Sequence, residues 1–338
     1  MRVAYNARAL SGPLTGVGQY TYQLALRLAA MQGLELFLFY GSRFERKVEA
    51  MSGRAGLNRM KARQLGRRFV PFAYDLVRAW RQLALARGVR SERIELYHEP
   101  NTLALDVDAP LVLTVHDLSW IRHPETHPAE RVRAMNKYFE PGLRRARLVL
   151  TDSEFVKREI VEVFGIAPER IRAIPIGMDP IFRPLHEGEL QSALRPHGLR
   201  PKSYLLNVGT LEPRKNLERT VRAYTLLPRP LREQFPLVLV GASGWRTQGI
   251  ESVIGPLVAR GEVKVLGYLA REELATVTAG AAAMAYPSLY EGFGLPPLEA
   301  MGCGVPVIAS TSSSLPEVVG DAGLLVDPLD VDAIASAM

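Results

Sequence analysis

The feature that most restricts this chain is a regular alternation of short apolar runs with longer amphipathic ones. Apolar, β-rich runs fall at residues 2–6, 34–40, 94–98, 111–116 and 147–151, then at 204–209, 237–241, 263–267, 283–287, 305–309 and 324–327. Stretches with apolar residues at helical spacing lie between most of them, at 19–31, 128–145, 153–164, 216–227 and 296–303. Alternation of this kind builds parallel sheets covered by helices on both faces. The runs LVLTV and LVLV are apolar almost throughout, which suits strands buried on both sides.

A Pro- and Gly-marked segment, residues 176–201, separates two such series of similar size. It holds Pro180, Pro184, Pro196 and Pro201 with Gly177, Gly188 and Gly198. A length of 338 residues suits two domains, expected at 1–185 and 186–338. Doubly wound sheets bind ligands in the crevice at their strand C-terminal ends, and this expectation alone names no reaction.

Composition narrows the setting. A hydrophobic fraction of 47% with 23% charged residues fits a globular protein, and no apolar run approaches the roughly 20 residues that span a bilayer. The start, MRVAYNARAL, is interrupted by Asn6 and Arg8 and reads as a first strand rather than a signal peptide. The single cysteine, Cys303, excludes an intrachain disulfide and thiolate-rich metal sites, so a cytoplasmic protein is expected. The net charge of +7 is concentrated in Arg54, Arg59, Lys61, Arg63, Arg67, Arg68, Arg78, Arg81, Arg87, Arg90 and Arg93. Phe69, Phe72, Tyr74 and Trp80 are interleaved with them. Two readings stand. The stretch meets anionic lipid, a phosphorylated acceptor or nucleic acid, or it is a solvated helix face whose Phe72, Leu76, Trp80 and Leu83, at helical spacing, turn inward.

The densest chemical signal is EGFGLPPLE, residues 291–299. Pro296 is placed to open a helix, so Phe293, Gly294 and Leu295 offer backbone N–H groups at its N-terminus. Glu291 precedes that helix and Glu299 lies inside it, and carboxylates accept hydrogen bonds from paired hydroxyls of a sugar or a ribose. The bland alternative makes Glu291 a cap anion and Glu299 a solvated helix residue. A second signal, GTLEPRKN at 209–216, follows a strand and sets Arg214 and Lys215 before a helix, a way to meet a diphosphate without a metal. Cations there oppose the helix dipole, so a nearby anion is expected. The third signal is Gly16 and Gly18 between the first strand and a helix, a weak phosphate loop lacking the third glycine of a dinucleotide fingerprint. The fourth is His116 with Asp117 at the end of LVLTV.

Together these residues resemble the family 4 retaining glycosyltransferases of GT-B fold, over nearly the whole chain. EGFGLPPLE resembles the family's E-x7-E motif and GTLEPRKN its phosphate-binding segment. LVLVGASGW, VKVLGYL, TDSEFVKREI and IPIGMD resemble other recurring segments. The resemblance implies an α/β chain of two Rossmann-like domains facing across a cleft, the first on the acceptor side and the second binding nucleotide-sugar. It implies that Arg214 and Lys215 hold the donor diphosphate, Glu299 the ribose hydroxyls, and Glu291 with the backbone at Phe293, Gly294 and Leu295 the donor sugar. Gly16 and Gly18 would cap the diphosphate, Leu266 and Tyr268 would line the base, and His116 would contact the sugar near the reaction centre. The implied catalytic set is His116, Glu291, Arg214 and Lys215, with no metal and no cofactor.

The GTLEPRKN and GASGW variants look most like members acting on mannose or 6-deoxymannose-type sugars in O-antigen or other surface polysaccharide assembly. The expected donor is GDP-mannose or GDP-D-rhamnose, and the acceptor a glycan or lipid-linked glycan at the inner face of the cytoplasmic membrane. The basic region would then contact anionic lipid, and no nucleic-acid partner is expected. The family usually continues with further helices after the point where Ala335, Ser336, Ala337 and Met338 stand, so a shortened C-terminal domain is expected.

Rival readings remain. A metal-dependent GT-A transferase needs a D-x-D site, and Asp106 with Asp108, or Asp330 with Asp332, match that spacing. A UDP-sugar transferase, a GT-B sugar-nucleotide epimerase, an NAD-dependent oxidoreductase and a non-catalytic polyanion-binding scaffold are the others. The oxidoreductase reading leaves Arg214, Lys215 and the two glutamates unexplained.

Overall fold

The computed structural model describes residues 1–12, 14–49, 73–242, 244 and 248–338. Arg54, Arg59, Lys61, Arg63, Arg67, Arg68, Phe69 and Phe72 lie outside the described residues, as do Ser243 and Trp245. Packing divides the chain into two compact units. One comprises Met1–Leu118, Glu130–Asp152 and Val156–Ile174, and the other Ser119–Ala129, Ser153–Phe155 and Pro175–Met338.

The first unit holds a seven-stranded sheet in the order β3-β2-β1-β4-β5-β6-β7. Its strands are β1 (Arg2–Asn6), β2 (Glu35–Phe39), β3 (Phe44–Glu45), β4 (Leu96–Glu99), β5 (Leu111–Val115), β6 (Leu148–Thr151) and β7 (Ile171–Ala173). All neighbours pair in parallel except β2 with β3. Five of the strands answer the apolar runs of the sequence, while β3 and β7 answer none. Val3, Tyr5, Leu36 and Leu38 form the core of one sheet face.

The helix Ala73–Ser91 packs on this unit through a few residues. Leu85 and Val89 are buried, and Asp75 accepts from Lys137 and Tyr138. Arg78 lies over the Tyr138 ring at 4.3 Å. Gly88 sits under Phe44, where a Cβ would overlap the ring carbons. Of the two readings, the one in which Leu76, Trp80 and Leu83 turn inward is overturned, because Leu76 is 68% and Trp80 56% exposed, with Val77 and Leu83 beside them. Asp75 and Arg78 hold the helix by polar contacts, so the apolar stripe has rotated away from the core. Among the described residues no helix is long and apolar enough to cross a membrane.

The second unit holds a six-stranded, wholly parallel sheet in the order β10-β9-β8-β11-β12-β13. The strands are β8 (Leu205–Val208), β9 (Leu237–Val240), β10 (Val263–Gly267), β11 (Ala283–Tyr286), β12 (Val307–Ser310) and β13 (Leu324–Val326). Every residue of β8 and β9 is buried, as continuous apolar runs in a doubly covered sheet require. Ile181, Phe182 and Leu185, all before residue 186, pack into this unit's core beside Tyr204, Met284 and Val307.

Both sheets reverse strand order at one place, between β1 and β4 in the first and between β8 and β11 in the second. Neighbouring crossovers there leave to opposite faces, which opens a crevice at the strand C-terminal ends. Gly241, at the end of β9, has φ 153°, and a Cβ there would overlap the Gly209 carbonyl. Only glycine lets the chain leaving β8 lie so close to the end of β9.

Candidate active site

The loops that leave β8 and β11 meet beside the second unit's reversal point. After β8 the chain makes a 3₁₀ turn, Pro213–Lys215, and then Asn216 adopts a left-handed conformation at φ 58°. Asn216 also donates from Nδ2 to the carbonyls of Pro287 and Pro328, at 2.8 and 2.7 Å. Asparagine tolerates that backbone better than most residues, and its amide ties the loop to the chain beyond β11.

Held in this way, Arg214 and Lys215 close on Glu291. Arg214 Nη1 donates to Glu291 Oε2 at 2.9 Å and to the Tyr290 carbonyl at 2.6 Å, while Nη2 reaches Glu212 Oε1 at 2.8 Å. Lys215 Nζ donates to Glu291 Oε1 at 2.7 Å and to Tyr286 Oη at 2.8 Å. The Glu291 backbone N–H is fixed by Ser313 Oγ at 2.8 Å. Glu212 and Glu291 are both buried. Burial alone would push the Glu291 carboxyl up, but Lys215 and Arg214 outweigh it and hold it at about 2. The anion expected beside the two cations is therefore supplied by the chain, as Glu291 and Glu212. Two cations matched by two carboxylates make a charge-balanced cluster.

Glu299 is no solvated helix residue. It lies one turn inside the helix Leu295–Gly302 and is buried, with Arg271 Nη1 donating to its Oε1 at 2.8 Å. Burial raises its carboxyl to about 7, against the pull of Arg271. Pro296 is the second residue of the helix, and Gly294 caps it at φ 125°, where a Cβ would crowd Leu315. The Phe293 carbonyl is taken by Ser314 Oγ at 2.7 Å. The chain entering the helix is thus pinned from the segment after β12. Leu266 lies in β10 and packs on the unit's core, and Tyr268 follows that strand half-buried.

In the first unit, His116 follows β5. Its Nδ1 lies 2.6 Å from Asp152 Oδ2 and its Nε2 2.8 Å from the Pro100 carbonyl, with the Tyr20 ring edge-on at 4.8 Å. Burial disfavours the charged ring, but the Asp152 carboxylate and the Pro100 carbonyl outweigh it and raise the pKa above the usual histidine value. A ring facing two acceptors donates from both nitrogens, so the geometry fits a fixed imidazolium rather than a free base. Close by, Glu99 at the end of β4 accepts from Tyr97 and Asn6, each at 2.6 Å, and from the Asn101 N–H at 3.2 Å. Burial pushes its carboxyl up to about 7. Gly16 and Gly18 are not loop residues: the helix Gly16–Ala29 starts at the first and includes the second. Their N–H groups belong to a first helical turn, where no intrahelical acceptor is available.

The D-x-D residues find other work. Asp106 faces Arg145 Nε at 3.4 Å, and Asp330 caps the helix Val331–Ala337 by accepting from Ala333 N. Among the described residues no three His, Cys, Asp or Glu side chains gather where they could hold a metal ion.

Comparison with known proteins decides the family. Residues 14–182 match the model described as Glycosyltransferase Family 4, and residues 194–338 the one described as Glycosyl transferases group 1. The chain is 37% identical over 342 residues to the O-antigen chain mannosyltransferase B of Escherichia coli, covering 99% of this chain and 89% of that protein. This chain belongs to the family 4 glycosyltransferases. The serotype-specific mannosyltransferase WbdA of Escherichia coli is 31% identical over 241 residues, which cover 69% of this chain and only 29% of that longer protein. The crystal structure of HepE from Anabaena with UDP and glucose covers 99% of this chain and 88% of its own, at a TM-score of 0.71 and 21% identity. That likeness establishes the GT-B fold of this glycosyltransferase.

Several residues that contact or adjoin the candidate side chains within each unit were not singled out by the sequence. Arg271, Asp179, Glu212, Tyr286, Asp152 and Glu99 all touch the groups described above. Asp152 stands in TDSEF directly after β6 and Glu99 in HEPN as the last residue of β4, and a position at a strand's C-terminal end was the available signal. Arg271, at a helix start, repeats the anomaly of Arg214 and Lys215, a cation set against a helix dipole.

Proposed function

We propose that this glycosyltransferase moves a mannose-type hexose from a GDP-sugar to a glycan or lipid-linked glycan in surface polysaccharide assembly, with retention and without a metal. The observation that carries the reading is the cluster of Arg214, Lys215 and Glu291 at the reversal point between β8 and β11. Arg214 and Lys215 offer charge-assisted hydrogen bonds to the leaving diphosphate as the bond from the anomeric carbon breaks, the part a metal plays elsewhere. Glu291, displaced from one of its cations, accepts from donor sugar hydroxyls, and Glu299 accepts from the ribose. Leu266 and Tyr268 border the base, and the first turn of Gly16–Ala29 contributes N–H groups to the phosphates. The mannose assignment is supported by likeness to O-antigen chain mannosyltransferase B.

A transfer assay with GDP-mannose, GDP-D-rhamnose and UDP-sugars, run in chelator, tests this reading. Transfer from a GDP-sugar with chelator present supports it. Transfer only from a UDP-sugar removes the donor assignment, and loss in chelator that returns with added divalent ion removes the metal-free mechanism.

The same reading includes a peripheral contact with anionic membrane on the cytoplasmic side. Its support is the apolar stripe of Leu76, Val77, Trp80 and Leu83 on a helix that also carries Arg78, Arg81, Arg87 and Arg90. Such a helix lies in an interface by combining apolar burial with attraction to anionic headgroups. Flotation with vesicles containing phosphatidylglycerol tests it, and a Trp80→Ser, Leu83→Ser variant that floats as well as the unaltered chain removes it.

A further inference from the structure

Arg271 is the first residue of the helix Arg271–Gly280, where a positive side chain opposes the helix dipole. Its guanidinium instead spans two carboxylates from distant segments. Nη1 donates to Glu299 Oε1 at 2.8 Å, and Nε to Asp179 Oδ2 at 3.2 Å. The guanidinium lies 4.6 Å from the centre of the Phe182 ring, itself part of the unit's core. Asp179 is fixed in turn, because its Oδ1 accepts from the Ile181 N–H at 3.2 Å. The Arg271 side chain is 19% exposed and that of Glu299 6%. The guanidinium is therefore held by two carboxylates and one aromatic ring. Glu299 Oε1 is taken by Arg271, and Oε2 has no hydrogen-bond partner among the described residues.

We propose that Arg271 is a positioning residue for nucleotide binding: braced by Asp179 and Phe182, it holds Glu299 through one oxygen and leaves the other for a ribose hydroxyl. The proposal rests on the assignment of Glu299 to the ribose. Arg271 acts through Glu299 and need not touch the nucleotide. The groups facing Glu299 are Arg271 and Asp179, with the Cys303 thiol at the end of its own helix and Lys202 beyond that. Burial sets the Glu299 carboxyl at about 7, with Arg271 lowering it and Asp179 raising it. An ionised Glu299 accepts at both oxygens, whereas a protonated one gives up an acceptor and its attraction to Arg271. Ribose-dependent affinity therefore rises with pH through about 7. Removing an opposite charge at this range raises a carboxyl by roughly 1–3 pH units, which cuts the ionised fraction at neutral pH by about 5-fold or more.

Two measurements on the full chain test this. In the first, the protein is labelled with [5-13C]glutamate and titrated from pH 5 to 9.5, with Glu299→Gln identifying the resonance. The Glu299 midpoint should lie near 7, climb by at least about one pH unit in Arg271→Ala, and return part-way in Arg271→Lys. A midpoint that stays put in Arg271→Ala overturns the proposal, provided the remaining glutamate resonances show the fold intact. In the second, GDP, UDP and their 2′,3′-dideoxy forms are titrated calorimetrically at pH 6, 7 and 8.5. The dideoxy forms carry the same phosphates, so the difference isolates the ribose. Arg271→Ala should weaken the ribonucleotide about 5-fold or more at pH 7 and leave the dideoxy form unchanged. Equal weakening of both forms means that Arg271 contacts the nucleotide directly, which also overturns the positioning role. Ribo and dideoxy forms that bind the unaltered chain alike remove the ribose assignment of Glu299, while the resonance titration still judges the hold of Arg271 on Glu299.

Discussion

Lys215 and Glu291, 76 positions apart in sequence, meet at 2.7 Å because β8 and β11 are neighbours in the sheet and send their loops to the same place. The same carboxylate also holds Arg214, so neither cation is idle before a donor arrives. On the proposed reading, a diphosphate entering this cluster exchanges with Glu291 at the cations and brings more negative charge than the single carboxylate it displaces.

That exchange makes Glu291 and the cations respond differently to substitution. Lys215→Ala or Arg214→Ala should remove about 2–5 kcal/mol of charge-assisted stabilisation, roughly 30- to several thousand-fold in rate. Glu291→Gln should keep or tighten diphosphate binding, since it stops competing for the cations, while turnover falls about 100-fold or more. Calorimetry with GDP and a transfer assay separate the two effects. Weakened nucleotide binding with normal turnover in Glu291→Gln would contradict the sugar-side role.

Stability should carry an unusual pH profile. Glu99 and Glu299, ordinarily near 4.5, are raised by burial to about 7 in the folded chain. Each contributes stability that is fully present below about 4.5 and is lost as pH rises through about 7, on the order of 3 kcal/mol apiece. Glu291 runs the other way: its stability is present above 4.5 and is lost as pH falls towards about 2. The unfolding temperature of the unaltered chain should therefore fall between pH 5 and pH 7.5, and Glu99→Gln should flatten part of that fall. A variant with the same slope as its parent would show that Glu99 titrates as it does in the unfolded chain.

The His116 ring offers a spectroscopic check. Burial is the largest influence on His116, and Asp152→Asn removes the strongest groups opposing it, leaving the Pro100 carbonyl and Asp117, so His116 should titrate well below its value in the parent. Nitrogen chemical shifts of the labelled ring should report two protonated nitrogens at neutral pH in the parent and one in the variant. A neutral ring in the parent would remove the imidazolium reading.

Gly88→Ala tests packing alone. The added methyl meets the Phe44 ring, which is already wedged against Phe37 and Phe39. Overpacking of this kind costs typically 1–3 kcal/mol, and denaturant unfolding should read it directly. Phe44→Leu in the same chain should recover part of the loss.

The alternation of apolar and amphipathic runs was enough to read two parallel sheets, because strands buried on both faces leave an uninterrupted apolar signature, as in Leu237–Val240. The two residues of β3 and the polar-centred IRA of β7 leave none, so those strands were illegible, whereas the equally short but wholly apolar β13 was read. Arg214, Lys215, Glu291 and Glu299 stood out because each lies in a short segment whose own spacing is informative. Arg271, Asp179 and Asp152 did not, since their partners lie 28, 92 and 36 positions away and only the fold joins them. The outward turn of Trp80 escaped the sequence for a related reason. Helical spacing defines a face, and the polar grip of Asp75 and Arg78 decides which way that face looks.

Asn216 holds Pro328, 112 residues further along the chain, through one amide nitrogen. On a ribosome adding about 5–20 residues per second, the cation loop emerges some 5–20 seconds before its anchor exists. For roughly the first two-thirds of that interval Arg214 and Lys215 also lack Glu291, which lies 76 positions beyond Lys215. A nascent chain stalled just before Pro328 thus already holds both cations and both carboxylates, and lacks only one of the two carbonyls that fix the turn between them.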